Sequence, residues 1–253
     1  DLCKSINPDE AVAHGAAVQA ALLNEGMKNV PNLELLDVTP LSLGISARPD
    51  VMSVVIPRNT TIPVSKTKVF HTTIDNEYSA SIKVYEGERA RASDNNLLGS
   101  FVLSGFPPAP RGHPLDVFFA IDSNGMLTVS AEEKTTGNKN EIIITNDKER
   151  LSPEEIMRMI QEAENFRAAD KKFLRKSKAI NSLDNYVYKM NNALKKKDMI
   201  SKLSSSTRLS ICLAIQKGTK LLDGKNQNEE AYVFEDYLKK LESLYENIIG
   251  KNG

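Results

Sequence analysis

The order of patterns along the chain predicts an α+β fold, a β-sandwich-like module followed by an all-helical one. Three observations carry this. Short strand-like runs separated by turn chemistry fill residues 38–147. A capping-box signature, Ser152-Pro153-Glu154-Glu155, follows them. Beyond it, apolar residues recur at helical spacing towards the end of the chain. Strands first and helices afterwards predict segregated layers, not an alternating α/β sheet.

Composition narrows the function classes. The 253 residues suffice for one or two domains with real cores. Charged residues make up 26%, and acids and bases balance at 33 each. A non-specific nucleic-acid binder needs a basic excess, so that class is excluded. Cys3 and Cys212 lie far apart and form no Cys-x-x-Cys pair. Neither a disulfide framework nor a zinc site is expected, and a reducing compartment fits. No run of about eighteen apolar residues predicts a membrane span. Residue 1 begins in ordinary polar sequence, without a basic stretch and apolar core. The absence of an initiator Met is compatible with a fragment.

The first helix is predicted from Asn7-Pro8-Asp9-Glu10, which offers an N-cap, a proline at the first helical position and two acids. Small residues follow, and Asn24, Gly26 and Asn29 end the pattern. From Leu33 to Gly44 the chain reads as an edge strand entering a sandwich. Leu33 and Leu35 alternate with Glu34 and Leu36, Pro40 forbids a ladder N–H, and Gly44 permits a bend.

Strand-like runs are Val51 to Ile56, Lys66 to Ile74, Ser79 to Tyr85, Leu98 to Leu103, Leu115 to Ile121, Met126 to Ala131 and Glu141 to Thr145. Asp75-Asn76-Glu77 is turn chemistry, and Asp122-Ser123-Asn124-Gly125 is a strong hairpin signal. Phe106 to Gly112, with three prolines, excludes regular structure. Strands at this spacing predict a sandwich or barrel. In the helical region Ile156, Met159, Ile160 and Ala163 share a face. Further helices are expected at about 182–197, 205–222 and 228–249.

No enzyme site emerges. His14, His71 and His113 lack metal-ligand spacing, and none of the common nucleophile, zinc or phosphate-loop motifs occurs. Each histidine reads as an ordinary polar residue. Glu132-Glu133 and Glu154-Glu155 read as solvated charge at a strand end and a helix start. The expectation is therefore no catalytic residue, no metal and no cofactor in this chain.

One resemblance extends this reading. Asp-Val-Thr-Pro-Leu-Ser-Leu-Gly at 37–44 resembles the linker-to-sandwich junction of the seventy-kilodalton heat-shock chaperones. Cys-Lys-Ser-Ile-Asn-Pro-Asp-Glu-Ala-Val-Ala at 3–13 resembles the last helix of their nucleotide-binding domain. Asp-Asn-Asn-Leu-Leu-Gly at 94–99 and Ile-Thr-Asn-Asp-Lys at 144–148 resemble eukaryotic cytosolic members. The resemblance covers about residues 1–185 and thins beyond about 200. It implies a nucleotide-domain remnant at 1–29, a linker at 30–40, a β-sandwich substrate-binding domain at 41–148 and a helical lid at 149–253.

The implied function is a chaperone module that binds extended hydrophobic segments of unfolded proteins in a groove under the lid. Such recognition joins main-chain hydrogen bonds to side-chain pockets. The resemblance places Ile45, Ala47, Phe70, Ala80 and Ile82 around a central pocket, with Leu43 and Val51 near its floor or rim. Core packing is the alternative for all of them, and for Ile82 the two readings are even.

Three positions depart from the family. Ala80 stands where valine is usual, and Arg48 and Thr73 occupy positions that arch over the peptide. Pro49-Asp50 replaces a glycine pair. Arg111 and Asp184 match a pair latching lid to sandwich; Asp75 matches a second latch position, with Tyr188 as partner. The linker residues Leu33, Glu34, Leu35, Leu36 and Asp37 would dock on a nucleotide domain, with Glu34 interrupting the apolar run.

ATP belongs to full-length relatives, and so would J-domain co-chaperones and nucleotide exchange factors. The chain ends Ile-Ile-Gly-Lys-Asn-Gly, without an acidic Glu-Glu-Val-Asp tail. The resemblance also implies a cytoplasmic location, with neither nucleic-acid nor membrane partners. Two alternatives stay open: a fragment of an intact ATP-dependent chaperone, or a degenerate paralogue acting as an interaction module.

Overall fold

The computed structural model describes residues 7, 9–23, 37–144, 151–195, 203–223 and 229–249. The chain forms two compact units, Asp1–Asp37 and Val38–Gly253. In the first unit, α1 spans Ala11–Leu23. Asn7 leads into it by a tight turn, its side chain accepting from the Asp9 N–H at 3.2 Å and its carbonyl from that of Glu10 at 3.0 Å. Leu33 to Leu36 lie outside the described residues; Asp37 is exposed.

The second unit begins with two four-stranded antiparallel sheets. β1 (Leu43–Ala47), β2 (Val51–Ile56), β4 (Ser79–Glu86) and β5 (Asn96–Ser104) run in the order β2-β1-β4-β5. β3 (Val64–His71), β6 (Pro114–Ile121), β7 (Leu127–Glu133) and β8 (Asn138–Ile144) run in the order β3-β6-β7-β8. Period-two alternation places Leu115, Val117, Phe119 and Ile121 of β6 inward, with Leu127, Val129 and Ala131 of β7. They meet Leu43, Ile45, Ile82, Val84, Phe101 and Leu103 of the other sheet in one core.

The two edges of this sandwich differ. Between β5 and β8, Asn140 donates to the Val102 carbonyl at 2.7 Å and Asn138 to that of Gly105 at 2.8 Å. Between β2 and β3, Lys68 reaches the Val54 carbonyl at 3.0 Å. A charged side chain on an edge strand discourages pairing with another chain.

Gly44 has a different role from the expected bend. It lies inside β1 at a register shift, where an added Cβ would sit 2.4 Å from the Ser53 carbonyl oxygen. Glycine permits that backbone approach. Before β1, buried Thr39 accepts from the Thr60 N–H at 3.1 Å and donates to the Pro57 carbonyl at 2.9 Å. Residues 38–39 are thereby stapled to the β2–β3 loop. The β6–β7 turn forms as its sequence indicates: Asp122 accepts from the Asn124 and Met126 N–H groups, and Gly125 has φ 78°.

Four helices follow: α2 (Pro153–Asn165), α3 (Arg167–Lys195), α4 (Ser205–Leu222) and α5 (Ala231–Ile249). Ser152 and Glu155 form the reciprocal capping box of α2. Ala179, Leu183, Val187 and Met190 of α3 share a second core with Ile211 and Ile215 of α4 and Phe234, Tyr237 and Leu241 of α5. Gly218 of α4 sits where a Cβ would lie 2.8 Å from Val187, so the helices cross closely there.

The expected fold class is corrected in its helical half. In place of a single lid, the long α3 serves two bodies, reaching the sandwich loops from Asp170 to Tyr188 and sharing a core with α4 and α5 through Ala179, Leu183, Val187 and Met190 of the same stretch. It also begins well before the expected residue 182. Residues 167–178 carry few apolar side chains at helical spacing, so their periodicity was silent. Glu133 is a further correction. Expected as solvated charge, it is fully buried, because it continues the inward alternation Leu127, Val129, Ala131.

Candidate functional site

The loops at one end of the sandwich, joined by α3, form the candidate site. The β1–β2 loop closes at the Ala47–Val51 pair. Within it the Asp50 carboxylate accepts from the hydroxyls of Ser46, at 3.3 Å, and Ser93, at 2.6 Å. The β4–β5 connection lies against this loop: Met52 donates to the Ala90 carbonyl at 2.8 Å and Ala92 to that of Asp50 at 2.9 Å.

Opposite it, residues 72–76 and 109–113 continue the β3–β6 ladder. The N–H groups of Thr72, Asn76 and Gly112 donate across to the carbonyls of His113, Ala109 and Thr72 at 2.8–3.0 Å. The Arg111 N–H donates to Asp75 at 2.8 Å.

Helix α3 fastens to both loops and to the β4–β5 connection. Asp170 accepts from Arg89 Nη2 at 2.9 Å and Nε at 3.0 Å, and from the Ala90 N–H at 2.9 Å. The guanidinium lies 4.4 Å from the Phe166 ring centroid, and that of Arg91 lies 4.5 Å from Phe173. Burial pushes the Asp170 carboxyl up, but its bonds to Arg89 and the Ala90 N–H outweigh this and hold it below the usual carboxylate range. Arg89 is raised by the same bond.

Further along, Asn181 donates to the Arg48 carbonyl at 3.1 Å. Arg111 meets Asp184 at 2.7 Å and Asn185 at 2.6 Å, and lies 4.9 Å from the Tyr188 ring. The Tyr188 hydroxyl donates to Asp75 at 2.5 Å. Asp75 is held low first by the Arg111 N–H and then by Tyr188. The spacing 170, 181, 184, 188 follows one face of a helix. From Asn181 the helix meets the second loop first at Asp184, a rise of about 4.5 Å, and last at Tyr188, a rise of about 10 Å.

The expected site residues divide in this frame. Leu43, Ile45 and Ile82 are buried in the sandwich core. Phe70 and Ala80 are half-buried and pack against that core. Ala47, Val51 and Thr73 are half-buried, and Arg48 is exposed on its loop. The Thr73 N–H donates to Glu77 at 2.8 Å. Arg111, Asp184, Asp75 and Tyr188 come together as one cluster. Sequence reasoning missed Arg89–Asp170, whose partners lie 81 residues apart. It also missed Asn181, Asn185 and the pair His113–Glu133, 2.7 Å apart. Among the described residues no group of acids, histidines and cysteines could hold a metal ion.

The architecture is two four-stranded sheets joined to a helical bundle by one long helix. The model of the Hsp70 protein family matches residues 1–252, and the chain belongs to that family. It is 48% identical over 251 residues to a heat shock 70 kDa protein of Neurospora crassa, covering 98% of this chain and 39% of the relative. It is 46% identical over 253 residues to heat shock cognate 70 kDa protein 3 of Dictyostelium discoideum, covering 99% and 40%. Heat shock 70 kDa protein 2 of Paracoccidioides lutzii is 48% identical over 251 residues, covering 98% and 38%. The chain thus spans about two fifths of these relatives' length.

These findings correct the expectations of a non-enzyme and of no cofactor. Each rested on motifs missing from 253 residues, whereas the match assigns the chain to a family whose members are far longer. A missing phosphate loop here says nothing of the whole protein. The alternative of a fragment without its ATPase falls with them, and the match leaves that of a degenerate paralogue untouched.

Proposed function

We propose that the gap between the β1–β2 and β3–β4 loops receives an extended, apolar segment of another polypeptide, with α3 closing over it. The observation that carries this is the double fastening of α3, through Asn181 to one loop and through Asp184 and Tyr188 to the other. An extended segment would pair there through main-chain hydrogen bonds, with its side chains in pockets.

Ala47, Val51, Phe70 and Ala80 supply apolar surface to the gap, with Arg48 and Thr73 above it. A buried client leucine would contribute ~1.5–3 kcal/mol. Backbone hydrogen bonds would add ~0.5–1.5 kcal/mol each, and after ordering costs micromolar affinity follows. Within the longer protein, residues 30–40 serve as a linker, and unfolded clients and co-chaperones are the partners. A cytoplasmic location is part of the same reading, supported by the resemblance of residues 94–99 and 144–148 to cytosolic members.

The test is a fluorescence titration of the full chain with a leucine-centred peptide. Ala80→Phe is expected to abolish binding by filling the gap. Ala80→Val is expected to tighten it several-fold, since two added methyl groups are worth ~1–2 kcal/mol of apolar contact. Unchanged affinity in Ala80→Phe would remove Ala80 from the site.

A further inference from the structure

Glu133 is the one fully buried carboxylate among the described residues, and the proposed function leaves it without a role. It accepts from the Thr135 and Thr136 N–H groups at 2.8 Å, and from the Thr136 hydroxyl at 2.6 Å. His113 Nε2 lies 2.7 Å from Oε1, the oxygen that also accepts from the Thr135 N–H. Burial pushes the carboxyl up, but the threonine donors and His113 hold it well below the usual range. Glu133 is therefore an anion at the end of β7, and the imidazole N–H donates to it.

His113 stands where two loops meet. Its N–H donates to the Thr72 hydroxyl at 3.0 Å, and its carbonyl accepts from the Thr72 N–H at 2.9 Å. One residue from Thr72 is Thr73, above the gap. Two residues from His113 is Arg111, which reaches Asp184 of α3. Between the loops run the bonds of Gly112, Asn76 and Arg111 already described. The loops thus behave as one zipped strip, and their side-chain anchor to the sheet beneath is His113 on Glu133.

We infer that His113 and Glu133 are positioning residues of the client site. They hold the strip 72–76/109–113 in one register, so that the Arg111–Asp184 latch and the Thr73 rim move as a unit. Loss of the His113 bond frees the strip and opens latch and rim together. The inference rests on the polypeptide-binding reading for its effect on clients, but not for its effect on the strip.

The test uses the full chain and two variants. His113→Val removes the bond while Glu133 keeps its three threonine donors, so the fold is retained. His113→Gln places an amide N–H near the Nε2 position. Hydrogen exchange without peptide reads the strip through the Thr72, Asn76, Arg111 and Gly112 amides. A hydrogen bond to a charged group sets an opening equilibrium by about tenfold or more. His113→Val is expected to speed exchange at these amides about tenfold, and His113→Gln to restore it.

With a leucine-centred peptide, release is expected to quicken several-fold in His113→Val, with association unchanged, and to recover in His113→Gln. Unaltered exchange in His113→Val, or failure of His113→Gln to restore it, overturns the inference. Faster exchange with unaltered peptide release also overturns it, because strip and rim are then uncoupled. If the wild-type chain binds no peptide, the proposed function fails, and the exchange arm alone decides the anchoring role.

Discussion

Helix α3 is attached to the sandwich at two places of different build. Near its start, Asp170 collects two nitrogens of Arg89 and a backbone N–H, with both side chains about 15% exposed. One face of the guanidinium is covered by Phe166. Some fourteen residues on, Arg111 meets Asp184, and Tyr188 meets Asp75, in a more open setting; Asp184 is 26% exposed and Asp75 is exposed. Charge-assisted, forked hydrogen bonds are stronger when water is kept out and weaker when solvent competes. Under the proposed function, the first attachment would serve as a pivot and the second as a latch. If α3 gates a bound segment as proposed, unequal fastenings give it a preferred end to lift.

The largest expected effect comes from breaking the pivot. Asp170→Ala leaves Arg89 with only Asp94, at 3.1 Å, and the Phe166 ring, and strands the Ala90 N–H; it should cost about 2 kcal/mol, the range for hydrogen bonds to charged groups. Hydrogen exchange at the Ala90 amide and thermal unfolding of the whole chain read it. If Asp184→Ala costs more stability than Asp170→Ala, the assignment of pivot and latch is reversed.

Acid probes the same contrast. The carboxyl of Asp170 is lowered in the folded chain, so its contribution is fully present above the unfolded value of about 4. It is lost as pH falls below that value through the folded pKa. Pivot docking should therefore persist at pH 5 and weaken below about pH 4, and Asp170→Asn should abolish that dependence. Helix-to-sandwich energy transfer between dyes, followed against pH, checks this.

The two fastenings also differ in how legible they were. Arg111, Asp184, Asp75 and Tyr188 were found through family resemblance, because their positions recur in a known pattern. Arg89 and Asp170 carry no local signal. They are brought together by a loop crossing β2 and by a helix start that apolar periodicity did not mark. The strands were legible because one face of each is buried, which imposes alternation on the sequence. That rule would also have exposed Glu133, two residues beyond Ala131 on the inward face. The adjacent Glu132 made a solvated pair look natural and hid it.

A smaller effect is expected at the latch. Asp184→Ala removes one partly exposed ion pair, worth ~0–1 kcal/mol. Thermal stability should hardly change, while peptide release quickens up to about fivefold. Charge reversal at both Arg111 and Asp184 should recover part of the slower release. Stopped-flow release of a fluorescent peptide decides it; an unchanged rate in Asp184→Ala would mean that the pair forms but does not gate.

The smallest expected effect sharpens the comparison most. Tyr188→Phe keeps the ring that lies 4.9 Å from Arg111 and removes only the hydroxyl that reaches Asp75. Asp75 still accepts from the Arg111 N–H, so its carboxylate is not left unpartnered. Water can replace the lost donor at so accessible a site. Release should therefore quicken by no more than about twofold, within the small range of exposed polar pairs. Tyr188→Ala also removes the ring, and should quicken release further if Arg111 is held by stacking as well as by charge. Equal release rates in Tyr188→Phe and Tyr188→Ala would show that the ring contributes nothing. The latch would then rest on Asp184 and Asn185 alone, a purely electrostatic fastening that weakens with salt, whereas the covered pivot does not.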